Sequence, residues 1–188
     1  QSLKTTYASL KMDKVVLSMT ASADGDSKDK LVDKQYAQTY YHSDEEYVGW
    51  QNVQTIEVVI DLLEPTGISE VGFSASSRPK WGIYVPNATV YVSLDNENWR
   101  SVAYLDAKPH VGEIVVPKGV KNTQEVTDIY GRYVKYVFEN DSEHIKDGIK
   151  NEWIFIDEVM IERCEYQAPT VSVVEGTLAK KDVLVDGE

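Results

Sequence analysis

Apolar and polar residues alternate along much of this chain with a period of two. Ile56, Val58 and Ile60 alternate with Glu57, Val59 and Asp61, and Val90, Val92 and Leu94 alternate with Tyr91 and Ser93. This period sends successive side chains to opposite faces of an extended strand, so each run supplies one buried face. Other short apolar runs are bounded by Gly, Pro, Asn and Asp, and helical periodicity is hard to find. The predicted strands cover residues 15–19, 57–62, 67–75, 89–93, 101–105, 114–116, 132–138 and 154–161. Eight strands predict an all-β domain, and that number suits a sandwich of antiparallel sheets.

The connections carry further information. Asp95-Asn96-Glu97-Asn98-Trp99 reads as a tight polar hairpin, because Asn and Asp tolerate left-handed dihedrals. The longest irregular segments, residues 24–48 and 140–151, are where recognition is expected, since long loops in a compact domain are usually functional or mobile. Gln167-Ala168-Pro169 reads as a hinge, which places one module at residues 1–166 and a linker at 167–188. Lys181 to Gly187 repeats Lys28 to Lys34 at five of seven positions, which reads either as the start of a second module or as an extra edge strand.

Composition narrows the function classes. The 188 residues are 42% hydrophobic, enough to bury a core without disulfides or metal. A net charge of −12 with no basic stripe repels nucleic-acid phosphates and anionic lipid, and no stretch of 18 apolar residues suggests insertion in a membrane. The lone Cys164 is expected to be a structural thiol. Gln1, with no initiator Met and no apolar leader, points to a segment of a longer chain. Twelve Tyr and four Trp outnumber three Phe, and rings with a polar tip suit wet binding surfaces. The acidic run Asp44-Glu45-Glu46 could pass for a glycosidase carboxylate pair, but three neighbours are more simply a solvated loop.

Ser76-Ser77-Arg78-Pro79-Lys80-Trp81-Gly82 joins two predicted strands and holds the most suggestive chemistry. A pyranose ring stacks its C–H face on an indole while its hydroxyls need fixed donors, so Trp81 offers a platform and Arg78 a fork of donors. The alternatives are a Trp81 that lids the core and an Arg78 that pairs with the acidic surface. Tyr47, Gln51, Asn52, Asn151 and Trp153 are further candidates to converge on the same end, and His42 is the histidine best placed to join them. The three histidines show no metal-ligand spacing.

Several motifs fall in a familiar order: Leu31-Val32-Asp33, Gly49-Trp50, Val58-Val59-Ile60-Asp61-Leu62, Gly82-Ile83-Tyr84-Val85-Pro86, Val90 to Trp99, Arg132-Tyr133-Val134-Lys135 and Trp153 to Val159. Over residues 31–161 the chain resembles the discoidin family, also called coagulation factor five/eight type C domains, which includes family 32 carbohydrate-binding modules. The resemblance implies an eight-stranded antiparallel jelly-roll β-sandwich of galactose-binding type, without catalytic machinery, whose ligand sits on loops at one end. It implies that Arg78 occupies a sugar-binding position and that Trp50 packs in the core, leaving Gln51 and Asn52 as the better hydroxyl contacts. It also implies a structural calcium held by Asp33, Thr39 and Glu158, which clamps the two ends of the module with hard oxygens. The alternative for the acids is a turn cap at Asp33 and a solvated Glu158. Lys34 stands where the family usually has Gly, which argues against the usual loop conformation there.

The expected function is that of a noncatalytic carbohydrate-binding module, monomeric within a larger secreted or cell-surface bacterial protein such as a glycoside hydrolase, with glycan or polysaccharide as its partner. A protein-binding adhesion or spacer module is the alternative, and a small jelly-roll enzyme using carboxylates is a third.

Overall fold

The predicted alternation at Ile56, Val58 and Ile60 lies on the longest strand among the described residues. The computed structural model describes residues 4–6, 30–39, 41, 44–51, 55–107, 120–140 and 153–166. The predicted strands at 15–19 and 114–116, and the tail at 167–188, lie outside the described residues. Seven strands are described: β1 (Lys4–Thr6), β2 (Val48–Gln51), β3 (Thr55–Ala75), β4 (Asn87–Ser93), β5 (Arg100–Leu105), β6 (Val120–Glu139) and β7 (Trp153–Cys164). They form one antiparallel hydrogen-bonded network in the order β2-β7-β3-β6-β4-β5, with β1 also on β3.

That network becomes a two-layer sandwich because β3 and β6 switch partners in mid-length. Residues 55–61 of β3 pair with 133–139 of β6, and residues 66–75 pair with 120–131, with a register shift between Asp61 and Thr66. Residues 55–61 of β3 and 133–139 of β6 join β4, β5 and β1, whereas residues 66–75 of β3 and 120–131 of β6 join β7 and β2. The two segments expected at 57–62 and 67–75 are thus one strand with a bend. Pro65, which cannot donate to a ladder, falls in the unpaired stretch, and Leu63 there takes φ 76. Phe73 from one layer meets Phe138 from the other, edge to face with ring centroids 5.1 Å apart, inside a core that also takes Trp50, Ile56, Val58, Ile60, Val90, Val134 and Ile156. All-β architecture and Trp50 in the core agree with the sequence reading.

The bend fixes the two ends of the sandwich. β3 leaves and returns to the same end, so Ala75 and the segment after it lie near Thr55, at what we call the loop end. The residue 62–66 bend, the β4–β5 hairpin and Cys164 gather at the opposite, bend end. Twelve residues of β7 separate the two by roughly 35 Å at about 3.3 Å per residue. A second apolar cluster of Ala37, Tyr47, Ile83 and Phe155, with Trp153 against it, covers the outer face of β7 at the loop end. Both faces of β7 are therefore buried from Ile154 to Val159. Among the described residues no helix is long and apolar enough to cross a membrane.

Candidate functional site

The segment after β3 is a closed loop whose shape follows from its sequence. Arg78 and Ile83 exchange backbone hydrogen bonds, Arg78 N–H to Ile83 carbonyl at 2.8 Å and Ile83 N–H to Arg78 carbonyl at 3.2 Å. Between them Pro79–Trp81 forms one 3-10 turn, with the proline at a position needing no donor and Gly82 at φ 73 closing it in left-handed geometry. The loop is tied to β7, because Trp153 N–H donates to Gly82 carbonyl at 2.8 Å and Ile83 bridges Trp153. Gln51 of β2 pairs with Trp153. Arg78, Trp81, Gln51 and Trp153 are thereby brought to one end.

The side chains of this loop build a cation–aromatic surface. The Arg78 guanidinium carbon lies 4.6 Å from the Tyr41 ring centroid and 5.1 Å from that of Trp81. Such contacts at exposed sites contribute about 0.5–1 kcal/mol each and hold the guanidinium plane in place. Trp81 is 64% exposed and Tyr41 46% exposed, so Trp81 does not lid the core. Trp153 is half-buried and stacks on Phe155 with ring centroids 5.1 Å apart.

Two expectations need correction. Tyr47 is fully buried, packs edge-on against Phe155 at 6.3 Å and donates its hydroxyl to Thr39 carbonyl at 3.0 Å, so it supports the surface and does not reach a ligand. Asp44 is not a loosely solvated acid: it accepts the N–H groups of Gln38 at 2.9 Å, Thr39 at 3.3 Å and Glu46 at 3.1 Å, shaping the turn that presents Tyr41. Tyr41 itself was missed as a contact; the available signal was its place beside Tyr40 and His42 in a long irregular segment. His42, Asn52 and Asn151 lie outside the described residues.

The acidic pair expected to hold calcium also meets. Glu158 is only 3% exposed, and both its carboxylate oxygens accept Lys34 N–H at 3.2 Å. Burial and then the nearby Asp33 charge push its carboxyl up to about 9, with Asp157 adding in the same direction. Glu158 is thus not a solvated strand residue. Lys34 takes φ 64, the left-handed conformation of the glycine it replaces, so its side chain does not prevent the turn. Asp33 accepts Gln35 N–H at 2.8 Å. Thr39 is engaged in the Asp44 turn, where its hydroxyl accepts Tyr41 N–H at 3.2 Å. Among the described residues no group of three or more His, Cys, Asp or Glu is arranged to hold a metal ion. The repulsion between Asp33 and Glu158, which helps to raise the Glu158 carboxyl, is what a hard cation bound between them would relieve.

Fold and site define a β-sandwich module that offers an aromatic and cationic surface on loops at one end. A family model, the F5/8 type C domain, matches residues 17–158, and the chain belongs to that family. Among solved structures, the lectin domain of lectinolysin complexed with Lewis B antigen superposes with a TM-score of 0.56 at 13% identity, covering 87% of this chain and 93% of that one. The Clostridium perfringens module CpGH89CBM32-5, in complex with GalNAc-β-1,3-galactose, has a TM-score of 0.50 at 13% identity, covering 85% and 94%. The CBM32-3 module of a family 31 glycoside hydrolase from the same organism has a TM-score of 0.49 at 17% identity, covering 81% and 92%. At these identities the likeness is one of fold. No curated protein sequence matches the chain.

Proposed function

We propose that this chain is a noncatalytic module that binds glycan at the loop end, with Arg78 and Trp81 as its principal contacts and Tyr41 and Trp153 beside them. The carrying observation is the Arg78 guanidinium held over two exposed rings. A pyranose face stacks on Trp81, and the edge of the oriented guanidinium donates to ring hydroxyls. Sugars bound by the two fold neighbours, Lewis B antigen and GalNAc-β-1,3-galactose, are the first ligands to try. F5/8 type C domains are generally binding modules, typically on secreted or cell-surface proteins. The role inferred here is to hold a larger protein, such as a bacterial glycoside hydrolase, at a polysaccharide surface, where tethering multiplies a weak single-site affinity.

Asp33 and Glu158, with carbonyl oxygens of the loop after Asp33, are the groups that would hold calcium. Bound there, the ion supplies positive charge that clips this loop to β7. Thr39 is a further donor only if the Asp44 turn yields it.

A glycan array tests the reading. Binding by the native chain that disappears in both Arg78→Ala and Trp81→Ala is the expected result. Binding that survives both changes removes the site.

A further inference from the structure

The bend end of the sandwich carries a second concave surface that the Arg78 site does not use. An open cavity of about 430 Å³ lies between the β4–β5 hairpin and the bend of β6, lined by Leu94, Asn98, Arg100, Asp128, Tyr130 and Tyr166 among others. A neighbouring cavity of about 410 Å³, reaching Ile68 and Cys164, shares Asp128 and Tyr166 with it. The two together make a groove rather than a single-residue pocket.

Its floor is built, not incidental. The rings of Tyr130 and Tyr166 stack with centroids 4.6 Å apart and planes 24° apart. Tyr166 reaches Tyr130 by crossing over Gly67, where a Cβ would stand 2.8 Å from the Tyr166 Cβ and 2.6 Å from the Cys164 carbonyl oxygen. Tyr130 nevertheless stays 40% exposed, beside an exposed Leu94. The rim is equally fixed. Asp95 accepts the N–H groups of Glu97 and Asn98 at 2.9 and 2.8 Å and the Asn98 amide nitrogen at 2.7 Å, which locks the hairpin and leaves the Asn98 side-chain oxygen as an acceptor. Arg100 Nη2 donates to Asp128 carbonyl at 3.4 Å, and Asp128, at φ 56, carries an exposed carboxylate.

We propose that this groove is a second ligand site, for a neutral oligosaccharide. An exposed ring face takes the C–H face of a pyranose, the Arg100 guanidinium donates to hydroxyls, and the Asp128 carboxylate and Asn98 oxygen accept from them. Asp95 and Asp128 outnumber Arg100, so an anionic sugar is repelled and a neutral one is not. Two adjoining cavities suit more than one sugar residue. Because this surface and Arg78 lie at opposite ends, one module could engage two chains of a polysaccharide, or one chain in two places.

The test uses the full chain carrying Arg78→Ala, titrated separately with galactose, N-acetylgalactosamine, N-acetylglucosamine and mannose while backbone amide shifts are followed by NMR. At least one sugar is expected to move the amides of Asn98, Arg100 and Tyr130. Tyr130→Ala should weaken that response by about tenfold, and Tyr130→Phe, which keeps the ring, should preserve it. Unmoved amides with all four sugars at saturation, or a response unaltered in Tyr130→Ala, overturn the proposal. The amides of Gly82 and Trp153 in the native chain report the loop end separately, so failure of one site is not mistaken for failure of the other. Unchanged shifts in the rest of the spectrum show that each variant is folded.

Discussion

The Tyr136 hydroxyl accepts the backbone N–H of Gly72 at 3.1 Å and also donates to the Met160 carbonyl at 2.9 Å. Tyr136 belongs to the layer of β4 and β5, whereas Gly72 and Met160 belong to the other layer, so one phenol joins the two sheets through their backbones. Gly72 is needed beneath it for a second reason: a Cβ there would lie 2.6 Å from the Asn122 carbonyl oxygen. Burial drives the phenol above its ordinary range, offset only in part by the Gly72 N–H, and it stays protonated as a donor across the working pH range. Tyr136→Phe leaves a buried N–H and a buried carbonyl without this partner. It should destabilise the fold by about 1–3 kcal/mol in urea unfolding, with little dependence on pH. A loss well under 1 kcal/mol would mean that water replaces the hydroxyl.

Lys34 gives a prediction of opposite sign. A side chain in the left-handed region costs about 1–2 kcal/mol, and glycine adopts it at no steric cost. Lys34 sits there at φ 64 because its N–H serves the Glu158 carboxylate. Lys34→Gly keeps that N–H and relieves the backbone, so it should stabilise by about 1 kcal/mol and raise Tm by roughly 3 °C. An unchanged or lower Tm would show that the lysine ammonium near Glu158 matters more than the backbone does.

What the sequence made legible follows from how many faces of each strand are covered. β4 buries Ala88, Val90 and Val92 on one side only, so its alternation is plain. The first half of β6 buries just Val120, Val126 and Ile129, with charged and polar residues exposed between them. Its pairing with β3 holds it extended, and no local period announces it. β2 is four residues with a glycine inside, too short for any pattern. In β7 the sequence left Glu158 as either a cation ligand or a solvated strand residue, and its burial depends on the distant 30–39 loop, whose Lys34 N–H meets the carboxylate. The Arg78 loop was readable because Pro79 and Gly82 punctuate it locally. Tyr41 was not, since its role depends on a contact with a residue distant in sequence.

The buried acid at position 158 makes the stability of the calcium-free protein depend on pH. Its folded carboxyl lies at about 9, above an ordinary unfolded glutamate, so the folded state holds a proton that the unfolded state has released. That contribution is fully present below the unfolded value and is lost as pH rises through the folded one. With chelator present, Tm should be higher at about pH 5 than at about pH 8, and Glu158→Gln should flatten the difference. Asp157 and Glu46 are also raised, both chiefly by burial, so the comparison between native and variant is the reading that isolates Glu158. Added calcium should raise Tm more at the alkaline end, where no proton competes for the carboxylate. No effect of calcium at either pH would reject the metal.

Arg78→Lys separates charge from geometry at the loop end. Both side chains are cations, so if long-range attraction alone drew ligand to this surface the exchange would matter little. The guanidinium, however, is planar and weakly hydrated, and it lies over the Tyr41 and Trp81 rings at 4.6 and 5.1 Å. Lysine brings a point charge on a flexible stem, with three donors in no fixed plane. Glycan binding should therefore fall at least about tenfold in Arg78→Lys, approaching the Arg78→Ala level, when measured by calorimetry against an array-positive sugar. Tyr41→Ala, which removes one of the two rings but leaves the guanidinium, should lie between native and Arg78→Ala. If Arg78→Lys binds as the native chain does, the two rings do not orient the donor, and Trp81 alone carries the contact.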